Sequence, residues 1–230
     1  MINFFSRAIP ALHIIFAIVA IVLFPISFWA VLDFAPTESF MGLPQKIFYY
    51  HVPIALFCIF SFFITFVASI GFLVTKNFIY DSIAFVATEI GMLLGTLILI
   101  TGVFWAKPVW GVWWTWDPRL TTTLVLWLIF AGYLVLRAQV PDRQRRGLYS
   151  AIIGIVGFVD VPLVHFSVKL WSRGIHPPKP VLHPDMAIAL KVAFIATASL
   201  FILIFLLRLR VELLTNRVET FTKAKSFECR

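Results

Sequence analysis

Six long apolar runs follow one another along the chain, at roughly 9–32, 51–74, 82–104, 121–140, 149–171 and 186–207, and most charged residues fall between them. Each run reaches the roughly 20 residues that a helix rising about 1.5 Å per residue needs to cross a hydrocarbon core. The pattern predicts an all-α integral membrane protein with six transmembrane helices, one domain over 1–230, without repeats or low-complexity segments. The first run, about 24 residues, is too long for a signal-peptide core and lacks a small-residue cleavage site, so it is read as a retained span. Composition agrees. The chain is 61% hydrophobic and 13% charged, where soluble domains carry about a quarter charged residues. Its mean hydropathy is +0.96.

A net charge of +8 invites a nucleic-acid reading, but the distribution of the cations points elsewhere. With six spans, alternate loops share a side. The side holding both termini collects twelve Lys and Arg, the opposite side holds six, and Lys191 lies inside the last span. The positive-inside rule then predicts both termini in the cytoplasm, and the charge is a topology signal before it is a binding signal. The basic tail, about 208–230, retains a minor use for anionic lipid or a soluble partner. Cys58 falls inside a span and Cys229 in the tail, and no CxxCH occurs. Neither a disulfide framework nor thioether haem attachment is expected.

The three outer loops, roughly 33–50, 105–120 and 172–185, are the longer ones, so chemistry is expected on the outer face. The second holds WGVWWTWDPRL, from Trp110 to Leu120. Trp105, Trp110, Trp113, Trp114 and Trp116 are five of the eight tryptophans and fall within twelve residues. An aromatic belt at the membrane interface is one account, but belt residues are usually scattered among helix ends. Such crowding suits a large, flat, apolar ligand held by stacking, or a partner chain. Gly111 is expected to permit close backbone approach, with Pro108 and Pro118 fixing the edges of the loop. Asp117 fits an N-cap before Pro118 at the first helical position. Arg119 would then sit in the first turn, able to hold a carboxylate bidentately or to snorkel to lipid phosphate.

His51 lies at the outer end of the second run and His165 about six residues before the outer end of the fifth, roughly 9 Å deep at helical rise. An ionisable residue inside a span is a functional candidate, although a hydrogen bond between helices explains either histidine alone. Two imidazoles facing each other across a planar ring are a known haem ligation arrangement. Lys46 and Arg119 are placed at the rim, where they would pair with the two propionates of a haem standing edge-on. His13 has no visible partner and is read as structural, and His176 and His183 as solvated alternatives. Glu89 is expected to bond to a neighbouring helix, and Asp160 to satisfy backbone groups freed by Pro162. No Asp/Glu/His chain crosses the membrane, which disfavours a pump.

The WGVWWTWDPRL segment, His51 before Val52-Pro53, and His165 with Ser167 and Trp171 resemble the tryptophan-rich WWD haem-handling family of cytochrome c biogenesis, in its six-span haem exporter protein C (CcmC) branch. The resemblance runs from the first span to about Arg210. It implies a multi-pass protein of the bacterial inner membrane that binds haem b non-covalently at the periplasmic face through the tryptophan segment. His51 and His165 would be axial ligands to the haem iron. It further implies transfer to a periplasmic haem chaperone of the CcmE type, with ATP-binding cassette subunits (CcmA and CcmB types) and a small single-span subunit (CcmD type). The chain would not itself be an enzyme. Competing accounts are a transmembrane electron-transfer cytochrome, which needs a second inner histidine pair where only His13 is available, and a transporter, channel or structural subunit.

Overall fold

The computed structural model describes residues 2–170 and 182–228, with side chains described over 12–167 and 182–222. Among the described residues there are seven α-helices: α1 (Ile2–Trp29), α2 (Phe48–Thr75), α3 (Phe78–Trp110), α4 (Pro118–Gln139), α5 (Arg143–Phe158), α6 (Asp160–Leu170) and α7 (Pro184–Glu228). They provide six segments long and apolar enough to cross a membrane, with α5 and α6 forming the fifth. The chain is thus a multi-pass helical membrane protein. The end of the bundle that carries the tryptophan turn, between α3 and α4, is termed outer, and the opposite end inner.

The α2–α3 pair forms the centre. α5 and α7 pack on α2, α1 packs on α7, and α4 lies against α3, α5 and α6. Lipid tails are as apolar as leucine, so close packing rather than hydrophobic burial must hold these helices together. The sequence meets that requirement with small residues at the contacts. A Cβ on Gly91 would stand 2.7 Å from the Phe62 ring, and one on Gly154 2.6 Å from Ser69 Oγ. The freed space lets Phe62 stack on Phe130 with centroids 3.9 Å apart. Conversely, α1 turns Ile14, Ile18 and Ile21 outward at 57–72% exposure, an apolar surface compatible with acyl chains.

Where α2 meets α3 and α3 meets α7, polar groups inside the bundle pair with one another, as a medium without water favours. Thr65 Oγ1 and Thr88 Oγ1 lie 3.1 Å apart between α2 and α3. As expected, Glu89 bonds to a neighbouring helix, its carboxylate 2.8 Å from Arg208 of α7.

Four features differ from the sequence expectations. α3 runs past its apolar run to Trp110, so the loop is shorter than 105–120. The fifth run breaks at Val159, because Pro162 has no N–H to return to residue 158. Asp160 does not repair that break: its side chain is 8% exposed, and Oδ2 has no hydrogen-bond partner among the described residues. The tail continues α7 as helix to Glu228, docked by Asn216 Nδ2 donating to Ser82 Oγ at 3.2 Å.

Candidate functional site

α3 ends where Gly111 adopts a left-handed backbone, φ 76°, and its N–H closes on Lys107 O at 3.0 Å. A Cβ added there would meet nothing within 4 Å. The expectation of close backbone approach is therefore corrected: what the glycine supplies is positive φ, which L side chains resist. Lys107 folds back over the turn, donating to Gly111 O at 3.0 Å with its ammonium 5.6 Å from the Trp113 ring centroid.

The tryptophans pair edge to face, a geometry the ring quadrupole favours. Trp105 meets Trp110 at 5.0 Å and Trp114 meets Trp116 at 5.8 Å, while Trp113 leans on Phe104. Trp113 remains 53% exposed and Trp116 75%, so large aromatic faces stay open at the outer end. Pro108 lies inside α3 and Pro118 begins α4, so the prolines bracket the turn from within its helices.

Asp117 is buried at 5% exposure and accepts from Arg119 N–H at 2.9 Å, capping α4 as expected. Arg119 is half-buried in the first turn, and its guanidinium has no hydrogen bond or ion pair among the described residues. The Thr115 and Thr121 hydroxyl oxygens, one on each side of Asp117 in sequence, are likewise shut from solvent without a hydrogen-bond partner among the described residues. Sequence reading did not single out either threonine, although Thr115 lies within the WGVWWTWDPRL segment.

His51 sits in the first turn of α2, half-buried against α3, with Nδ1 2.7 Å from Thr101 Oγ1. His165 lies on α6, which packs along α4 and α5; it is exposed and meets Phe166 edge-on at 4.9 Å. Both histidines occupy the outer halves of their membrane-spanning segments. His176 lies outside the described residues. His183 is exposed beside Asp185 at 3.5 Å, as expected of a solvated residue. His13 is buried in α1, and its Nε2 has no partner among the described residues.

Lys46 departs from its expected place at a ligand rim. Its ammonium is buried and donates to three carbonyls, Val31 O at 2.7 Å, Leu32 O at 2.8 Å and Ala35 O at 3.0 Å. These belong to the π-helical turn Ala30–Phe34 and its cap, where the first span ends. Helix C-termini leave carbonyls unsatisfied and carry partial negative charge. All three ammonium protons are spent on them, so Lys46 is a helix cap and not a rim cation.

The outer end thus joins open indole faces, two hydroxyls and a guanidinium without hydrogen bonds among the described residues, and an imidazole anchored on α3. Stacking surface, a cation and a nitrogen ligand fit a flat apolar molecule with acidic groups and a metal.

The sequence model of the family described as "Heme exporter protein C" matches residues 2–224. The chain is 35% identical over 193 residues to the "Heme exporter protein C" of Bradyrhizobium diazoefficiens, covering 81% of this chain and 73% of the relative. It is 31% identical over 207 residues to the protein of the same description in Haemophilus influenzae, covering 87% and 84%. A "Putative cytochrome c biosynthesis ccmC-like mitochondrial protein" of Marchantia polymorpha is 32% identical over 175 residues, covering 74% and 72%.

Proposed function

The chain belongs to the haem exporter protein C family, and from that premise we propose that it holds haem b at its outer, periplasmic face and hands it to a periplasmic haem chaperone during cytochrome c maturation. The observation that carries the reading is the exposed tryptophan turn, with Trp113 and Trp116 open and the Arg119 guanidinium, close to the Asp117 carboxylate, making no hydrogen bond among the described residues. A porphyrin is flat, apolar on its faces and anionic at one edge, and it supplies iron that accepts imidazole. Trp110, Trp113, Trp114 and Trp116 shield the macrocycle, with Gly111 and Asp117 fixing the path of the turn. Arg119 pairs with a propionate, and the hydroxyls of Thr115 in the turn and Thr121 in α4 are further donors to it.

His51 and His165 are the proposed iron ligands. α2 holds His51 half-buried and anchored, whereas α6 presents His165 exposed. That asymmetry suits transfer, because the exposed ligand is the one an incoming chaperone can replace. The remaining assignments are the inner membrane with both termini cytoplasmic, and a complex with ATP-binding cassette subunits (CcmA and CcmB types) and a small single-span subunit (CcmD type). The charge distribution supports the orientation and the family supports the complex.

The test is the absorption spectrum of the protein purified from haem-replete cells lacking the chaperone, beside His51→Ala and His165→Ala. A bis-imidazole spectrum in the parent, altered in each variant, is expected. A parent protein without haem would refute the reading.

A further inference from the structure

The hydroxyl of Thr101 has a single proton, and Leu97 O, one turn back on α3, accepts it at 2.7 Å. Donating there leaves Oγ1 only lone pairs to offer His51, whose Nδ1 stands 2.7 Å away. An acceptor facing Nδ1 requires the proton of a neutral imidazole to be on Nδ1, which puts the coordinating lone pair on Nε2. A Cβ on the adjacent Gly102 would lie 3.7 Å from His51 Cε1, in ordinary contact, so the ring stands directly against α3.

We propose that Thr101 is a positioning residue for haem ligation: by accepting from Nδ1–H it selects the tautomer and ring orientation in which His51 ligates iron through Nε2. The proposal rests on the haem reading above and adds to it a residue outside the histidines and the tryptophan turn. Partners of this kind hold a ligand in register and make it more basic. Donation by Thr101 to its own helix is part of the device. A hydroxyl without Leu97 O could turn and offer His51 a proton, and the selection would be lost.

Two measurements test it. The first uses the haem-free protein in detergent, with nitrogen-labelled histidine NMR and His51→Ala to assign the signal. The proton is expected on Nδ1 in the parent and in Thr101→Ser, and distributed over both nitrogens in Thr101→Val, which keeps the shape and removes the acceptor. The second is haem titration and potentiometry. Thr101→Val is expected to lose about ten- to a hundredfold in haem affinity, and its bound iron should become easier to reduce because the imidazole donates less strongly. Thr101→Ser should restore both values, and in a His51→Ala background Thr101→Val should change neither. A parent His51 protonated on Nε2, or a Thr101→Val protein with parental affinity and potential, overturns the proposal. A parent protein with the Nδ1–H tautomer that binds no haem overturns the haem reading itself, and the role of Thr101 falls with it.

Discussion

Arg137 on α4 grips Asp81 on α3 through two hydrogen bonds, Nη1 to Oδ1 at 2.6 Å and Nη2 to Oδ2 at 3.1 Å, with both side chains 7% exposed. The Phe85 ring covers the guanidinium at 4.4 Å. Near the inner ends of their helices these charges have little water to fall back on. Removing one partner strands the other, and such losses run to about 3–5 kcal/mol. Arg137→Met is expected to lower the unfolding midpoint in detergent far more than the Asp81→Leu/Arg137→Met double variant. Equal losses in the two proteins would show that the pair is not coupled.

Lys46 and Arg119, two cations of the same outer face, should separate cleanly on substitution. Lys46→Met removes a buried cap whose three carbonyls are then left bare, a loss of roughly 1–3 kcal/mol per orphaned group at most. It should lower thermal stability while folded protein keeps its haem. Arg119→Ala should leave stability nearly unchanged and weaken haem retention. Thermal unfolding and haem content, measured on the same preparations, decide the matter; the reverse pattern contradicts both assignments.

Gly111→Ala tests the left-handed turn by itself. With φ at 76° and no atom near the new methyl, backbone strain is the whole effect, about 1–2 kcal/mol. Gly111→Asn, which tolerates that conformation, should recover most of the loss. Equal destabilisation by both residues, measured by thermal unfolding, would point to crowding instead.

In the first outer loop, backbone N–H groups of Met41 and Phe40 donate to the Glu38 carboxylate and hold it below the usual glutamate range. A depressed folded value means that the contribution is complete above the unfolded glutamate range and is lost as pH falls through the folded one. Amide exchange at residues 40 and 41, corrected for its intrinsic pH dependence, should therefore lose protection only on acidification below that range. Glu38→Gln should be poorly protected at neutral pH. Protection independent of pH would remove the carboxylate from the account.

The spans were legible because membrane thickness imposes a length that apolar runs display directly, and the Asp117 cap because capping is decided within three residues. What stayed hidden depends on partners distant in sequence. Nothing local marks Lys46 as a cap for carbonyls 11 to 15 residues upstream, and a lysine beside an outer histidine reads more naturally as a ligand cation. Thr101 is one hydroxyl in an apolar run until α3 brings it to His51, and Arg137 meets Asp81 across 56 residues. The break at Val159 was masked for another reason: its flanking residues are apolar, so hydropathy runs on where hydrogen bonding stops.

The Lys46 contact also makes the first outer loop a closed ring in all but covalent terms. One ammonium fastens the end of the first span to the entrance of α2, so the intervening residues are spared the task of holding the two together. Insertions between residues 36 and 45 lengthen a loop whose ends are already met, and loop closure grows only slowly costlier with length. A chain severed there keeps a non-covalent splice, which makes this stretch the natural place to divide the protein into two separately made, reassembling pieces.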